Sequence, residues 1–133
     1  MATLFRVIVP VRDIERAAAF YSAILGDTGQ RVSQGRHYFD CDGTILACYD
    51  PIADGDDYEA TPLTEPLYFA VDDLDEVYER AAHAGAFFPE DNVPDVGLLG
   101  AIEQRPWGEL SFYTADPFGN PLCFVSRDSV FKG

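Results

Sequence analysis

Basic residues are scarce in this chain. Nine Lys and Arg stand against 23 Asp and Glu, for a net charge of −14. A field of that sign repels phosphate backbones, which excludes nucleic acid as a partner. The acidic surplus serves solubility and draws cations. Long apolar runs are also missing. No eighteen consecutive residues are apolar, so no segment reads as a membrane-spanning helix and no membrane partner is expected. The start, Met1 to Val11, reads as a strand and lacks the basic opening and small-residue cleavage site of a secretory signal. There are only three cysteines, an odd number without the paired spacing of metal knuckles. Reduced thiols in a cytoplasmic protein are the expectation. What the chain does have is 133 residues, 47% of them apolar, enough for one domain with a real core.

The chain repeats itself. Leu4 to Val11 is an apolar run of strand type. Asp13 can cap a helix whose apolar face is marked by Ile14, Ala17, Ala18, Tyr21, Ile24 and Leu25, and Gly26 ends it. Short strands follow near Gln30–Ser33, His37–Cys41 and Thr44–Tyr49, separated by Gln34-Gly35 and Asp42-Gly43. The second half has the same order. Leu67–Val71 is a strand. Asp73 and Glu76 make a capping-box pattern, Leu74, Val77, Tyr78, Ala81 and Ala82 mark a helix face, and Gly85 ends it. Strands are expected near Ala86–Phe88, Glu109–Tyr113 and Pro121–Ser126, with Asp116-Pro-Phe-Gly-Asn120 as the turn before the last. Val11, Asp13 and Ile14 lie 60 residues before Val71, Asp73 and Leu74, whereas Gly43 and Leu46 lie 76 before Gly119 and Leu122. The 16 extra residues therefore fall in the second half, in the loop from Pro89 to Pro106. The reading is α+β: one domain over 1–133, with a first β-α-β-β-β module at about 1–50, an acidic surface linker at 51–66 and a second module at about 67–128. Each such sheet has an apolar face to bury, so the halves are expected to cover each other.

Several segments carry a family resemblance: Val9-Pro-Val-Arg-Asp-Ile-Glu-Arg-Ala-Ala-Ala-Phe-Tyr21, Phe69-Ala-Val-Asp-Asp-Leu-Asp75, Pro106-Trp-Gly108 and Asp116-Pro-Phe-Gly-Asn120. Their order and spacing resemble the vicinal oxygen chelate superfamily of glyoxalase I, bleomycin and fosfomycin resistance proteins and extradiol dioxygenases. The Pro-Trp-Gly segment with its later turn is most similar to the bleomycin resistance proteins. The resemblance implies eight strands of mixed sheet curled into a cup, and a homodimer. In the family's enzymes it also implies a divalent metal held by His, Glu or Gln from the first and last strands of each half. The four matching positions hold Arg6, Pro66, Cys123 and Ala47, or Cys48 if the register slips by one. None is the expected ligand type, so no metal and no other cofactor is expected.

Five residues are candidates for ligand binding. Arg6 can replace the metal as anchor for an anionic or carbonyl oxygen, or it can pair with a carboxylate such as Glu109 or reach solvent. Trp107, the single tryptophan, matches a residue that stacks on the flat tail of the ligand in bleomycin resistance proteins, or it packs the sheet rim. Gly35 lies about where those proteins place a second stacking aromatic, with Tyr38 and Tyr49 nearby. Tyr68 and Tyr113 have inward strand parity, and Cys123 lies on the last strand; all three also suit a core. His37 reads as a surface histidine or a general base, His83 as solvent-exposed. Glu103 and Glu109 flank the Trp segment and suit a cation. Asp13, Asp73, Asp116, Gly119 and Asn120 read as caps and turn residues. The function expected is a metal-free binding protein holding a cationic or planar organic molecule in an aromatic cup. The alternatives are a lyase, isomerase or dioxygenase of the glyoxalase type, and a partner-binding module with a filled cup.

Overall fold

Asp13 and Asp73 each start a helix by the same device. A computed structural model describes all of residues 1–133. In it the Asp13 carboxylate accepts the Arg16 N–H at 3.0 Å and the Asp73 carboxylate accepts the Glu76 N–H at 3.1 Å. Each bond satisfies a backbone donor that the first helical turn leaves free. The helices are α1, Ile14–Leu25, and α2, Leu74–His83. Gly26 closes α1 in the left-handed region at φ 70° and returns its N–H to Ser22. The Glu76 side chain does not complete a capping box but pairs with Arg80 one turn on. No helix is long and apolar enough to cross a membrane. By its contacts the chain forms two compact units, Met1–Leu63 and Thr64–Gly133.

The first unit contains β1 (Arg6–Pro10), α1, β2 (Gln30–Ser33), β3 (Arg36–Cys41) and β4 (Thr44–Tyr49). The sheet order is β1-β4-β3-β2, with β1 parallel to β4 and the other pairs antiparallel. The register places Ile8, Ala47 and Tyr38 in one rung. Alternation sends Val9, Leu46, Cys48, His37 and Phe39 to the helix-packed side, where they are buried with Ala17, Phe20, Tyr21 and Ile24 of α1. The expected helix face omitted Phe20, which is buried edge-on to Tyr21. His37 is not a surface residue. Its Nε2 lies 2.9 Å from the Thr28 carbonyl and its Nδ1 is 3.3 Å from Arg31 Nε, so both ring nitrogens are satisfied where it is buried.

The start of the acidic linker is folded onto this unit. Asp54 accepts the Ser33 hydroxyl, the Gly35 N–H and the Arg36 Nε–H. These donors, the Ser33 hydroxyl first, hold its carboxyl below the usual range. Gly35 is required by the close approach: a Cβ there would lie 2.3 Å from the Asp50 carbonyl oxygen. Gly35 therefore has no room for the aromatic that the resemblance suggested near it.

The second unit contains β5 (Leu67–Val71), α2, β6 (Asn92–Val93), β7 (Gly97–Leu98), β8 (Glu103–Gln104), β9 (Leu110–Ala115), β10 (Pro121–Ser126) and a 3-10 turn at Arg127–Ser129. Its main sheet, β5-β10-β9-β8, repeats the first plan, with β5 parallel to β10. An aromatic column fills the helix-packed side. Phe69, Phe124 and Phe112 stack at 5.1 and 5.4 Å, and Tyr78 of α2 meets Phe112 edge-on at 5.0 Å. The strand expected at Ala86–Phe88 is reduced to one bridge, Phe87 with Ala115. The rest of the outer edge of β9 is taken by the extra segment: Leu99 accepts the Tyr113 N–H, and β8 pairs with Ser111 and Leu110. The turn at Asp116 is as expected: its carboxylate accepts Phe118 N–H, Asn120 N–H and the Asn120 side-chain amide.

Candidate ligand site

Arg105 organises the region around Trp107. Its side chain is fully buried, and its guanidinium donates to the carbonyls of Val96, Leu98, Leu99, Ala101 and Ser111 and to the Ser111 hydroxyl at 3.0–3.3 Å. Glu103 adds the nearest carboxylate at 3.7 Å. A buried guanidinium is tolerable only when its fork of donors is used this fully. The 16-residue insertion is thus wrapped around a cation that belongs to the following strand pair.

Immediately after Arg105 the chain turns. Residues 106–108 form the loop of the β8–β9 hairpin, closed by the Arg105 N–H to the Glu109 carbonyl at 2.7 Å, and Gly108 fills the left-handed position at φ 99°. Trp107 stands at the tip with 40% of its surface exposed. Its indole N–H donates to Glu109 Oε1 at 2.9 Å, which fixes the ring against the strand.

Trp107 and Glu109 border a cleft of about 400 Å³ within the second unit, with Tyr68, Phe69, Ala70, Val125, Val130 and Phe131 as its other walls. That volume lies in the range of small-molecule sites. The walls are mostly aromatic and aliphatic, and Glu109 is the one charged group among them. Its second oxygen, Oε2, accepts the Phe131 N–H at 2.9 Å.

The five residues singled out from the sequence fall as follows. Trp107 and Tyr68 line the cleft. Tyr68, Cys123 and Tyr113 form one rung across β5, β10 and β9, on the face opposite the aromatic column. Tyr113 lies over the Arg105 guanidinium, 5.4 Å from its ring centroid. Arg6 belongs to the first unit, where it lies 5.1 Å from the Phe5 ring and 5.6 Å from the Tyr38 ring and makes no ion pair. Glu109 bonds to Trp107 and Phe131 rather than to an arginine. Sequence reasoning missed Arg105, Val130 and Phe131. An arginine directly before Pro-Trp-Gly in so acidic a chain is the signal that was available for the first.

Burial pushes the Cys123 thiol up to about 11, against the lowering effect of its bonds with Ser111 and Tyr113. Burial raises the Tyr113 phenol as well. At neutral pH both groups keep their protons. This donor set does not fit a divalent ion. Ala47 and Pro66 offer no side-chain donor, Arg6 is a cation, and Cys123 is a buried thiol. Cys48 lies on the helix-packed side and Ala47 on the other, so the strict register holds. No three His, Cys, Asp or Glu side chains converge anywhere in the chain.

The profile of the Glyoxalase/Bleomycin resistance protein/Dioxygenase superfamily matches residues 3–124. Among solved structures, a glyoxalase-related enzyme from Fulvimarina pelagi is similar with a TM-score of 0.74 and 21% identity, covering 100% of this chain and 94% of its own. A glyoxalase/bleomycin resistance protein from Albidiferax ferrireducens T118 has a TM-score of 0.71 and 22% identity, covering 95% and 99%. The oxidase ChaP-H2 has a TM-score of 0.70 and 25% identity, covering 96% and 94%. No protein of curated function matches the sequence. With a match over nearly its whole length and the repeated β-α-β-β-β plan, the chain belongs to the Glyoxalase/Bleomycin resistance protein/Dioxygenase superfamily.

Proposed function

We propose that this protein is a metal-independent binder of a flat, cationic organic molecule, of the bleomycin type, seated between Trp107 and Tyr68 with Glu109 as counter-charge. The observation that carries the reading is the make-up of the cleft: aromatic walls around a single carboxylate. An indole face attracts planar and cationic groups. Glu109 uses one bond on each oxygen to hold Trp107 and Phe131, which leaves further lone pairs for a ligand cation.

Because Trp107 is the only tryptophan, its fluorescence reports on the cleft alone. Titration with bleomycin and with thioflavin T, a planar cation, is expected to give saturable changes that EDTA leaves unaltered. The planar anion anilinonaphthalene sulfonate should bind more weakly. Followed by the dye's own fluorescence, Trp107→Ala should weaken thioflavin T binding about tenfold, the scale of a lost cation–π and stacking contact. Binding that requires added zinc or manganese, or turnover of a glyoxalase-type substrate, would replace this reading with the enzyme one.

A further inference from the structure

We infer that the C-terminal strap, Arg127 to Phe131, is the specificity-determining wall of the cleft, latched by Glu109. The inference rests on the ligand reading above for what the wall selects, but not for where the wall stands.

The superfamily match ends at Phe124, and β10 ends at Ser126. Two walls of the cleft, Val130 and Phe131, therefore lie beyond the segment that matches the superfamily. The strap is tied down along its length. Arg127 donates to the Asp72 carboxylate at 2.8 Å and to the Ala70 carbonyl at 3.1 Å, next to the cleft wall of β5. The Ser129 hydroxyl accepts the Leu110 N–H at 3.0 Å and donates to the Ser126 carbonyl at 2.8 Å. The Phe131 N–H ends the series on Glu109 Oε2. Glu109 thus joins two walls of the cleft, indole through one oxygen and strap through the other. A phenyl ring placed there, 58% exposed, gives a ligand a second aromatic surface and limits the width of the ring system that fits. A ligand cation reaching Glu109 must share it with Phe131 N–H, so size and charge are read at the same place.

The test uses two readouts. In the ligand-free protein, acrylamide quenching of Trp107 measures how far the strap shields the indole. Phe131→Ala, and separately a chain shortened after Ser129, should raise the quenching constant, since each opens the cleft that the indole borders. Lys132→Ala, one residue beyond the strap and outside the cleft, should leave it unchanged. With thioflavin T, Phe131→Ala should weaken binding about tenfold, and the shortened chain should accept bulkier fused-ring cations that the parent rejects. Quenching that does not change in either strap variant, with circular dichroism intact, would overturn the placement of the wall. Parent and Phe131→Ala proteins binding the dye equally would overturn its role in selection. If the parent binds no dye while quenching rises, the ligand reading fails and the strap as a wall stands.

Discussion

The two units build the same sheet and use arginine in opposite ways. In the first, Arg6 is exposed over Tyr38 and Arg36 is part-buried over Tyr49 at 4.2 Å, where it shares the Asp54 carboxylate. In the second, Arg105 lies beneath Tyr113 with no exposed side-chain surface, and six acceptors surround it. The first pattern adds charge to a finished sheet. The second makes a charge the scaffold of an inserted loop. The difference teaches that the 16 residues by which the second repeat exceeds the first are a wrapped structure that places Trp107, rather than a slack connection.

The sharpest way to break this comparison is to remove the buried cation. Arg105→Met should destabilise the second unit by about 3–5 kcal/mol, the usual cost of orphaning a buried ionic network, and should move Trp107. Arg105→Lys should not rescue it, because an ammonium cannot reach carbonyls on both sides of a planar fork. Urea unfolding followed by tryptophan emission checks both, and a loss below about 1 kcal/mol would mean that the loop holds itself. Arg6→Met, by contrast, should fall within about 0.5 kcal/mol of the parent, as for other exposed changes.

Next in size is Gly35→Ala. The added methyl meets backbone at Asp50, so the linker turn must shift, at a cost of about 1–3 kcal/mol to the first unit, with binding in the cleft unchanged. Thermal unfolding of the variant measures the first, and dye titration the second.

The smallest effect is a pH dependence. Asp54 has a folded pKa below its unfolded one, so its stabilising contribution is complete above the unfolded value and is lost as pH falls through the folded one. The protection of amides at residues 50–56, corrected for the intrinsic pH dependence of exchange, should therefore fall under acid, and Asp54→Asn should flatten that response. Equal acid sensitivity in the variant would place the transition at other carboxylates.

The regular elements were legible because local signals agreed with one another. Asp13, Gly26, Asp73 and the turn at Asp116 mark boundaries that caps and turn chemistry enforce wherever the chain is placed. Strand parity likewise put Tyr68 and Tyr113 on one face, and they meet in one rung with Cys123 between them. What was not legible lies where no period exists. Strands β6, β7 and β8 are two residues each, too short for alternation to show. Arg105 reads as a surface charge until the carbonyls that surround it are known, and those come from positions up to nine residues away. His37 was misread for the same reason, since its partner Thr28 lies on the other side of a strand. Val130 and Phe131 follow the last patterned strand, and only the fold brings them back to Glu109.

The wrapped insertion also settles what happens at a sheet border. Phe87, Leu99 and β8 together occupy the hydrogen-bonding edge of β9, leaving only a two-residue strand outermost. An edge so short is a poor template for strand addition from another chain. In the first unit the outermost strand is β2, four residues long. Self-association through strand pairing on that side of either sheet is accordingly available to β2 and closed to β9.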